Sequence, residues 1–526
     1  MLSHSKKKII IIGGGIGGLS CATSLAETGN FDISIYESDI IGGQASSQKS
    51  ELCNTEISWR VFGAFYSNLY RIMHSLGVFN LMYENLDGHQ CLNDNQIGDV
   101  YSLIIDHNIT QFNKIATILF LCKDRAINEY HDIIAESYYK SKNMNIILGP
   151  YSGLEPSKVT LSAFYKFALS RYDLSEYNQY LITKYPTNDS LFEPWIKYLE
   201  NKGVKIYEKK ALQDIITDYN GTIKQLIIDN NTHSADEIVF ACSLTPLLHI
   251  FKNNKSLREK QIFNKLSRLE KGHQFYISVN LYWKKEIIKR KKCHIYTFID
   301  GWMPIIIKRF INIDYINNNC NNDIKEVWNI GVADYLLGNY VKKFTSQASF
   351  EEIVYEIKMN LMHSEHFKNY FDFENNTWED YFYDYEFDNR YYQQLPSTYK
   401  FSINKGIEEN LLNNNESELG DNIYFSAYYV KNTVGGASME TSCEIGLKTA
   451  DLICNKYTIK NPRKPIYKTR DYISLITLPF IILDCILYKL NLKPITDFID
   501  PVILLVIYFS IIIYFFITYN FSSYKK

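Results

Sequence analysis

The apolar positions fall into short blocks whose period and punctuation predict an alternating α/β order. Lys7 to Ile12 sets four isoleucines behind two lysines and predicts a short buried strand. Gly13-Gly14-Gly15-Ile16-Gly17-Gly18 follows, then a helical stretch from Leu19 to about Glu27, then a second strand, Asp32 to Tyr36, ending at Glu37. Gly153 to Tyr172 reads as a turn leading into an amphipathic helix, and Asp189 to Lys202 as a helix stopped by Gly203. Val204–Tyr207, Ala211–Thr217 and Ile223–Ile228 predict half-buried strands, and Asp236–Ala241 a buried strand ending in small residues. Near the other end, Asn422–Ala427 predicts a buried strand, and Ser438-Met439-Glu440 opens a helix running to about Asn455. The fold class is α/β and Rossmann-like.

The opening unit carries chemistry as well as structure. Strand, glycine turn, helix and second strand with a terminal acid are the parts of a dinucleotide site. Gly13 allows the tight turn, Gly15 lets the backbone approach a pyrophosphate, and Gly18 lets helix and strand pack closely. The helix tip from Ile16 offers free N–H groups and positive dipole to phosphates. Glu37, 19 residues past Gly18, is placed to accept from ribose hydroxyls. A second glycine pair, Gly42-Gly43, followed by Gln44, makes another close backbone approach, which an extended FAD requires and NAD does not.

Composition narrows the partners. The 526 residues are 46% hydrophobic and 22% charged, within the globular range and long enough for two or three domains. Lys plus Arg number 56 against 58 Asp plus Glu, a net charge of -2, so no positive field is available for nucleic acid. The ten cysteines are scattered with no Cys-x-x-Cys pair and no metal-ligand spacing, which argues against a metal site and for reduced thiols in a cytosol-facing domain.

The C-terminal pattern differs in kind. Pro501 to Tyr524 is free of charge for 24 residues, and Val502 to Thr518 has no polar stripe, which predicts a transmembrane helix over about 501–519. Tyr472 to Tyr488 is a shorter apolar segment carrying Pro479 and Asp484, interfacial or re-entrant. Arg463, Lys464, Lys468 and Arg470 just before it place the large N-terminal part on the cytosolic side. The expectation is a C-terminally membrane-anchored protein with a cytosolic body.

In the glycine turn, the following glycine doublet and the acid between them, the sequence resembles the flavin-containing amine oxidase and phytoene desaturase superfamily, with Gln44 where that family usually has a basic residue. Thr55 to Leu69, including Ser58-Trp59-Arg60 and Phe62-Gly63-Ala64-Phe65, is similar to a carotene-desaturase segment in which a flavin-facing turn leads into a Phe-Gly-Ala-Tyr motif and a helix. Ser438-Met439-Glu440, with Gly446 and Ala450, resembles the segment at the isoalloxazine, while Ala427-Tyr428 replaces the usual Gly-Asp.

The resemblance implies FAD held by Gly13, Gly15, Ile16, Gly18, Glu37, Gly42, Gly43, Gln44, Ser58, Ser438, Met439 and Glu440, with Leu212 touching the adenine through its backbone. It implies a discontinuous FAD-binding domain (1–77, 186–250, 401–460) and an inserted α+β substrate domain (78–185, 251–400). Trp59, Arg60 and Tyr429 are flavin-face candidates, and no proton-abstracting residue is identified. The aromatic run Trp378 to Tyr392 reads as a solvated surface in preference to an amine pocket. The function implied is hydride transfer from a substrate C–H to flavin N5, on a lipid-like or amine substrate, with oxygen or a quinone as acceptor. A flavin-binding scaffold without turnover is the alternative, motivated by the departures at Gln44, Ser58 and Tyr428.

Overall fold

The computed structural model describes residues 6–99, 181–387 and 411–467, with short breaks at 49, 57–59, 64, 85, 94–95, 271–275, 288–292, 299–300, 303–304, 310–312, 335, 368–369, 373–374 and 435–437. The first strand, β1 (Lys7–Ile12), feeds α1 (Ile16–Glu27) and returns as β2 (Phe31–Tyr36). A two-residue hairpin, β3 (Ser47–Gln48) and β4 (Thr55–Glu56), precedes α2 (Ser67–Leu76). Then come β5 (Met82–Glu84), β6 (Leu86–Asn93), β7 (Gln96–Asp99), β8 (Leu181–Thr183), α3 (Glu193–Asn201) and β9 (Lys205–Tyr207). Three antiparallel strands, β10 (Leu212–Thr217), β11 (Ile223–Ile228) and β12 (Asn231–His233), lead to β13 (Glu237–Phe240). The order ends with β14 (Tyr276–Trp283), β15 (Cys293–Phe298), β16 (Ile305–Arg309), β17 (Glu326–Ala333), α4 (Phe350–His363), β18 (Phe382–Phe387), β19 (Ile423–Phe425) and α5 (Met439–Lys456).

Five parallel strands in the order β19-β13-β1-β2-β9 form one sheet. Strands of such a sheet are covered on both faces, which is why β1 and β13 read as unbroken apolar runs. Ile9 to Ile12 are buried and pair with Ile33 and Ile35 on one side and Ile238 and Val239 on the other. α1 and α5 pack together, and α3 docks through Trp195, whose indole N–H donates to Thr23 Oγ1 at 2.7 Å.

The second sheet has seven strands in the order β18-β14-β17-β16-β15-β6-β7. Alternation along β14 divides its faces. Ile277, Val279, Leu281 and Trp283 join Ile353, Ile357 and Leu361 of α4 in a core. Ser278, Asn280 and Tyr282, two residues apart, are buried on the other face, where Asn280 bonds to β4.

Two sequence expectations change. Cys53 and Cys320 are joined as a disulfide with Cα atoms 4.2 Å apart, not left as reduced thiols. Scattered spacing hides such a pair, because the fold lays Leu52-Cys53 against the end of helix Ile313–Asn319, where the Asn321 N–H donates to the Leu52 carbonyl at 2.8 Å. The described part of the aromatic run, Trp378 to Phe387, is not a solvated surface. Trp378 and Tyr381 are buried, Trp378 edge-on to Trp283 and Tyr381 edge-on to Phe371, each with ring centroids 5.3 Å apart, so their ring area packs the end of this core.

The predicted membrane helix at 501–519, the segment Tyr472–Tyr488 and the helix within Gly153–Tyr172 lie outside the described residues. Among the described residues no helix is long and apolar enough to cross a membrane.

The disulfide is testable. Alkylation of denatured, unreduced protein is expected to spare Cys53 and Cys320 and to label Cys21, Cys242, Cys443 and Cys454. Closing a separation of 267 residues, the bridge should stabilise the fold by about 2–5 kcal/mol, read as the loss in Cys53→Ser by denaturant unfolding.

Candidate functional site

Among the five glycines of the stretch Gly13–Gly18, which joins β1 to the start of α1, four show different duties. Gly13 sits at φ 110°, and a Cβ there would lie 2.6 Å from the Ala241 carbonyl oxygen. A Cβ on Gly18 would lie 2.1 Å from the Gly13 oxygen, and one on Gly17 2.1 Å from the Ser426 oxygen. These three are glycine because protein backbone occupies the space. Gly15 is the exception. Its backbone is extended at φ -77°, which any residue adopts, and no atom lies within 4 Å of a Cβ built on it. That open side faces out at the tip of α1, where the first-turn N–H groups have no acceptor within the helix.

The second glycine pair lies directly against the first. Gly42 N–H donates to the Gly14 carbonyl at 2.9 Å, and Gly15 and Gly42 form a parallel bridge. Gly42 and Gly43 both take positive φ, 108° and 53°. Phe192 closes the other side of Gly42, its ring 2.7 Å from where a Cβ would be. The result is a cleft floor made of two glycine backbones side by side.

Glu37 stands at the end of β2 and is almost buried. Its Oε2 accepts from Gly14 N–H at 2.7 Å, and its Oε1 from Asp39 N–H at 2.9 Å and the Ser38 hydroxyl at 3.1 Å. The carboxylate therefore braces the glycine turn as well as marking the expected ribose position. Lys210 N–H donates to the Glu37 carbonyl at 2.8 Å, which brings the start of β10 and Leu212 to the same edge.

Gln44 is exposed, and its carbonyl accepts from Arg60 Nη2. Arg60 Nε lies 3.9 Å from the buried carboxylate of Glu56, which in turn accepts from Thr187 N–H and its hydroxyl, both at 2.7 Å. Arg60 thus brings a guanidinium beside Gln44. Ser58 and Trp59 lie outside the described residues.

At the C-terminal segment Ser438 caps α5, its Oγ accepting from Thr441 N–H at 3.1 Å, and Met439 packs partly buried against the core. Glu440 does something the pattern does not reveal. It is buried, with Oε1 accepting from Asn68 N–H at 2.9 Å and Asn68 Nδ2 at 2.8 Å, and Oε2 from Leu69 N–H at 2.9 Å. These are first-turn donors of α2, so Glu440 caps a neighbouring helix with a full charge on its positive pole.

Tyr429 is likewise drawn inward. It is buried, its hydroxyl donates to the Cys242 carbonyl at 3.2 Å, and burial pushes its pKa well above the ordinary value. It thus packs behind the Gly13 turn. Tyr428 rests on it edge-on, their ring centroids 5.4 Å apart.

The chain after α5 supplies residues that sequence reasoning missed. Arg463 pairs with Glu27 at 2.6 Å, donates to the Arg71 carbonyl at 3.2 Å and to the Ser75 hydroxyl at 2.8 Å, and so straps α1 to α2. Ile466 N–H donates to Asn68 Oδ1 at 2.7 Å. Nothing in local pattern signals pairs about 400 residues apart.

The glycines separate folding from binding. Gly446→Ala, whose Cβ would lie 2.3 Å from the Gly17 oxygen, should lower stability by about 1–3 kcal/mol. Gly15→Ala should leave melting of the cofactor-free protein unchanged within about 0.5 kcal/mol while dinucleotide affinity falls. Glu440→Gln turns an acceptor facing Leu69 N–H into a donor and should cost about 2 kcal/mol in denaturant unfolding.

With this geometry, known proteins can be compared. Residues 11–76 match the family model of the NAD(P)-binding Rossmann-like domain. A 4,4'-diaponeurosporene oxygenase of Staphylococcus haemolyticus is 52% identical over 48 residues, 9% of this chain and 9% of that protein. The zeta-carotene desaturase of Zea mays is 36% identical over 90 residues, 17% of this chain and 16% of that protein. The chain thus spans less than a fifth of either curated relative's length. A solved putrescine oxidase variant superposes with TM-score 0.61 at 12% identity, covering 86% of this chain and 99% of that one. Residues 11–76 are therefore similar to an NAD(P)-binding Rossmann-like domain, and the chain has the fold of the solved putrescine oxidase.

Proposed function

We propose that the chain is an FAD-dependent oxidoreductase of desaturase or amine-oxidase type, acting on a lipid-like or amine substrate and held at a membrane by its C-terminal apolar segment. The observation that carries the cofactor reading is the double glycine floor. Gly15 is open toward a ligand, and Gly42-Gly43 extends that floor by a second turn, as an extended flavin dinucleotide needs and a nicotinamide one does not. FAD bound there supplies a hydride acceptor at flavin N5.

The chain's own residues bind and orient. The α1 tip receives phosphate oxygens through the N–H groups after Gly15. Glu37 holds the turn and presents a carboxylate for ribose hydroxyls. Arg60, fixed to the Gln44 carbonyl, positions the second glycine turn and contributes positive charge beside it. α5, starting at Ser438, aims its positive end where charge on a reduced flavin develops. The 378–387 strip is spent on packing the seven-stranded sheet, so a substrate pocket is built elsewhere.

The membrane reading rests on the charge-free run Pro501–Tyr524 and the basic residues that precede the apolar segments. Oxygen or a quinone is the electron acceptor in this reading.

Purified full-length protein is expected to be yellow and to release FAD on denaturation, and Gly15→Val to be folded and colourless. Release of NAD, or retention of full flavin by Gly15→Val, overturns the reading. Truncation should be made after Lys468, because Asn461, Arg463 and Ile466 hold α1 and α2. That variant is expected to be free of detergent dependence and to keep flavin, whereas full-length protein should need detergent. Anaerobic reduction of the flavin by substrate separates an enzyme from a flavin-binding scaffold.

A further inference from the structure

The β3–β4 hairpin continues directly from the second glycine turn. Gly43 to Ala45 forms one helical turn, closed by Ala45 N–H to the Gly42 carbonyl at 3.0 Å and Ser46 N–H to the Gly43 carbonyl at 3.1 Å, and β3 follows after Ser46. Ser47 pairs with Glu56 and Gln48 with Thr55, so whatever fixes β4 also fixes the chain leaving Gly42-Gly43. Ser47 and Asn188 add a reciprocal pair of bonds, both at 2.8 Å.

Cys53 lies in the loop of this hairpin, two residues before β4, and its bridge to Cys320 ties the hairpin covalently to the end of helix Ile313–Asn319. The backbones meet there too, where the Leu52 carbonyl accepts from Asn321 N–H at 2.8 Å, and Ser50 Oγ donates to Glu386 at 2.6 Å. Those hydrogen bonds open and close one at a time. The bridge is what closes a separation of 267 residues at the edge of the glycine turn.

The bridge is also chemically singled out. Cys53 is fully buried, but Cys320 is only half-buried, so an incoming thiolate reaches the Cys320 sulfur and Cys53 is the leaving group. Cys21, Cys443 and Cys454 are buried, and burial pushes the Cys242 thiol up to about 12. Thiolate is the exchanging form, so these four thiols compete poorly. Arg463, Lys464, Lys468 and Arg470 favour a cytosolic body, and cytosolic bridges are reversible and redox-sensing in preference to permanent.

We propose that the Cys53–Cys320 bridge is a redox latch on the cofactor site. Closed, it holds the hairpin and the second glycine turn in the dinucleotide-binding form; opened by a dithiol, it lowers flavin affinity. A thiolate of the dithiol attacks Cys320 Sγ, the S–S bond breaks, and Cys53 Sγ leaves and takes a proton. The second thiol of the reductant then displaces Cys320, so two electrons pass to the bridge and the reductant ends as a disulfide. The proposal rests on the FAD reading and adds a regulator to it. Binding and reduction are linked, so FAD protects the bridge by the same factor by which the bridge favours FAD.

The test uses purified full-length protein stripped of flavin, bridged or reduced with dithiothreitol, at a temperature where circular dichroism shows the bridged form folded. The bridged form is expected to bind FAD about tenfold tighter, within the usual range for coupling between two sites. In dithiothreitol redox buffers FAD should lower the midpoint potential of the bridge by about 30 mV, the two-electron equivalent of tenfold. Cys320→Ser should bind FAD as the reduced protein does and ignore the reductant. Amide exchange at Ala45 and Ser46 should quicken on reduction with no FAD present.

Equal FAD affinity in the two states makes the bridge a staple of the fold and overturns the proposal. A reductant effect that persists in Cys320→Ser, or unfolding on reduction, overturns it as well. If neither state binds FAD the oxidoreductase reading falls separately, and unchanged exchange at Ala45 and Ser46 then overturns the latch.

Discussion

The close crossing of α1 and α5 is the constraint on which the rest depends. Gly446 lets the two helix backbones approach until an added methyl on it would sit 2.3 Å from the Gly17 carbonyl oxygen. Ser426 closes the third side, its hydroxyl donating to the Gly17 carbonyl at 3.1 Å. That contact joins the first thirty residues to a segment some 430 positions later. Once it forms, β19 lies beside β13 and Glu440 reaches the start of α2. A buried charge there is stabilised because it meets three donors and a helix dipole together, not a single partner.

A second set of buried polar bonds ties the β3–β4 hairpin to the seven-stranded sheet and to Thr187. Thr55 and Glu56 are held from one side by Thr187 and from the other by Asn280, both through short, buried bonds. The disulfide between Cys53 and Cys320 lies on the same strip of chain. The arm Cys53–Glu56 is therefore fixed by covalent and hydrogen-bonded contacts to residues far along the sequence. Arg60, four residues past that arm, gains a defined direction from Glu56 and the Gln44 carbonyl.

Much of the first sheet was legible because its strands obey local rules. β1, β2, β13 and β19 are short apolar runs, and the helices begin and end at the residues that cap or break them: Ser438 starts α5, and Gly77 at φ 70° stops α2. The departures have a common cause. Glu440, a cofactor contact by resemblance, places its carboxylate on a neighbouring helix. Tyr429 looked like a flavin wall, yet it fills space behind Gly13 and bonds to Cys242. Trp378 and Tyr381, in a run rich in charges, are buried because tertiary packing needed their ring area.

By itself the sequence determined where the glycine turn and the helix starts lie. A glycine turn and a helix start depend on φ/ψ freedom and on N–H groups within a few residues of one another. Only the tertiary structure decided which glycines serve packing and which face a ligand, since Gly13, Gly17 and Gly18 meet backbone atoms from other parts of the chain and Gly15 meets none. It also decided the pairing of Cys53 with Cys320 and the capping of α2 by Glu440. Each of these is a contact between residues far apart in the chain, and hydrophobic period and local propensity carry no information about such distances.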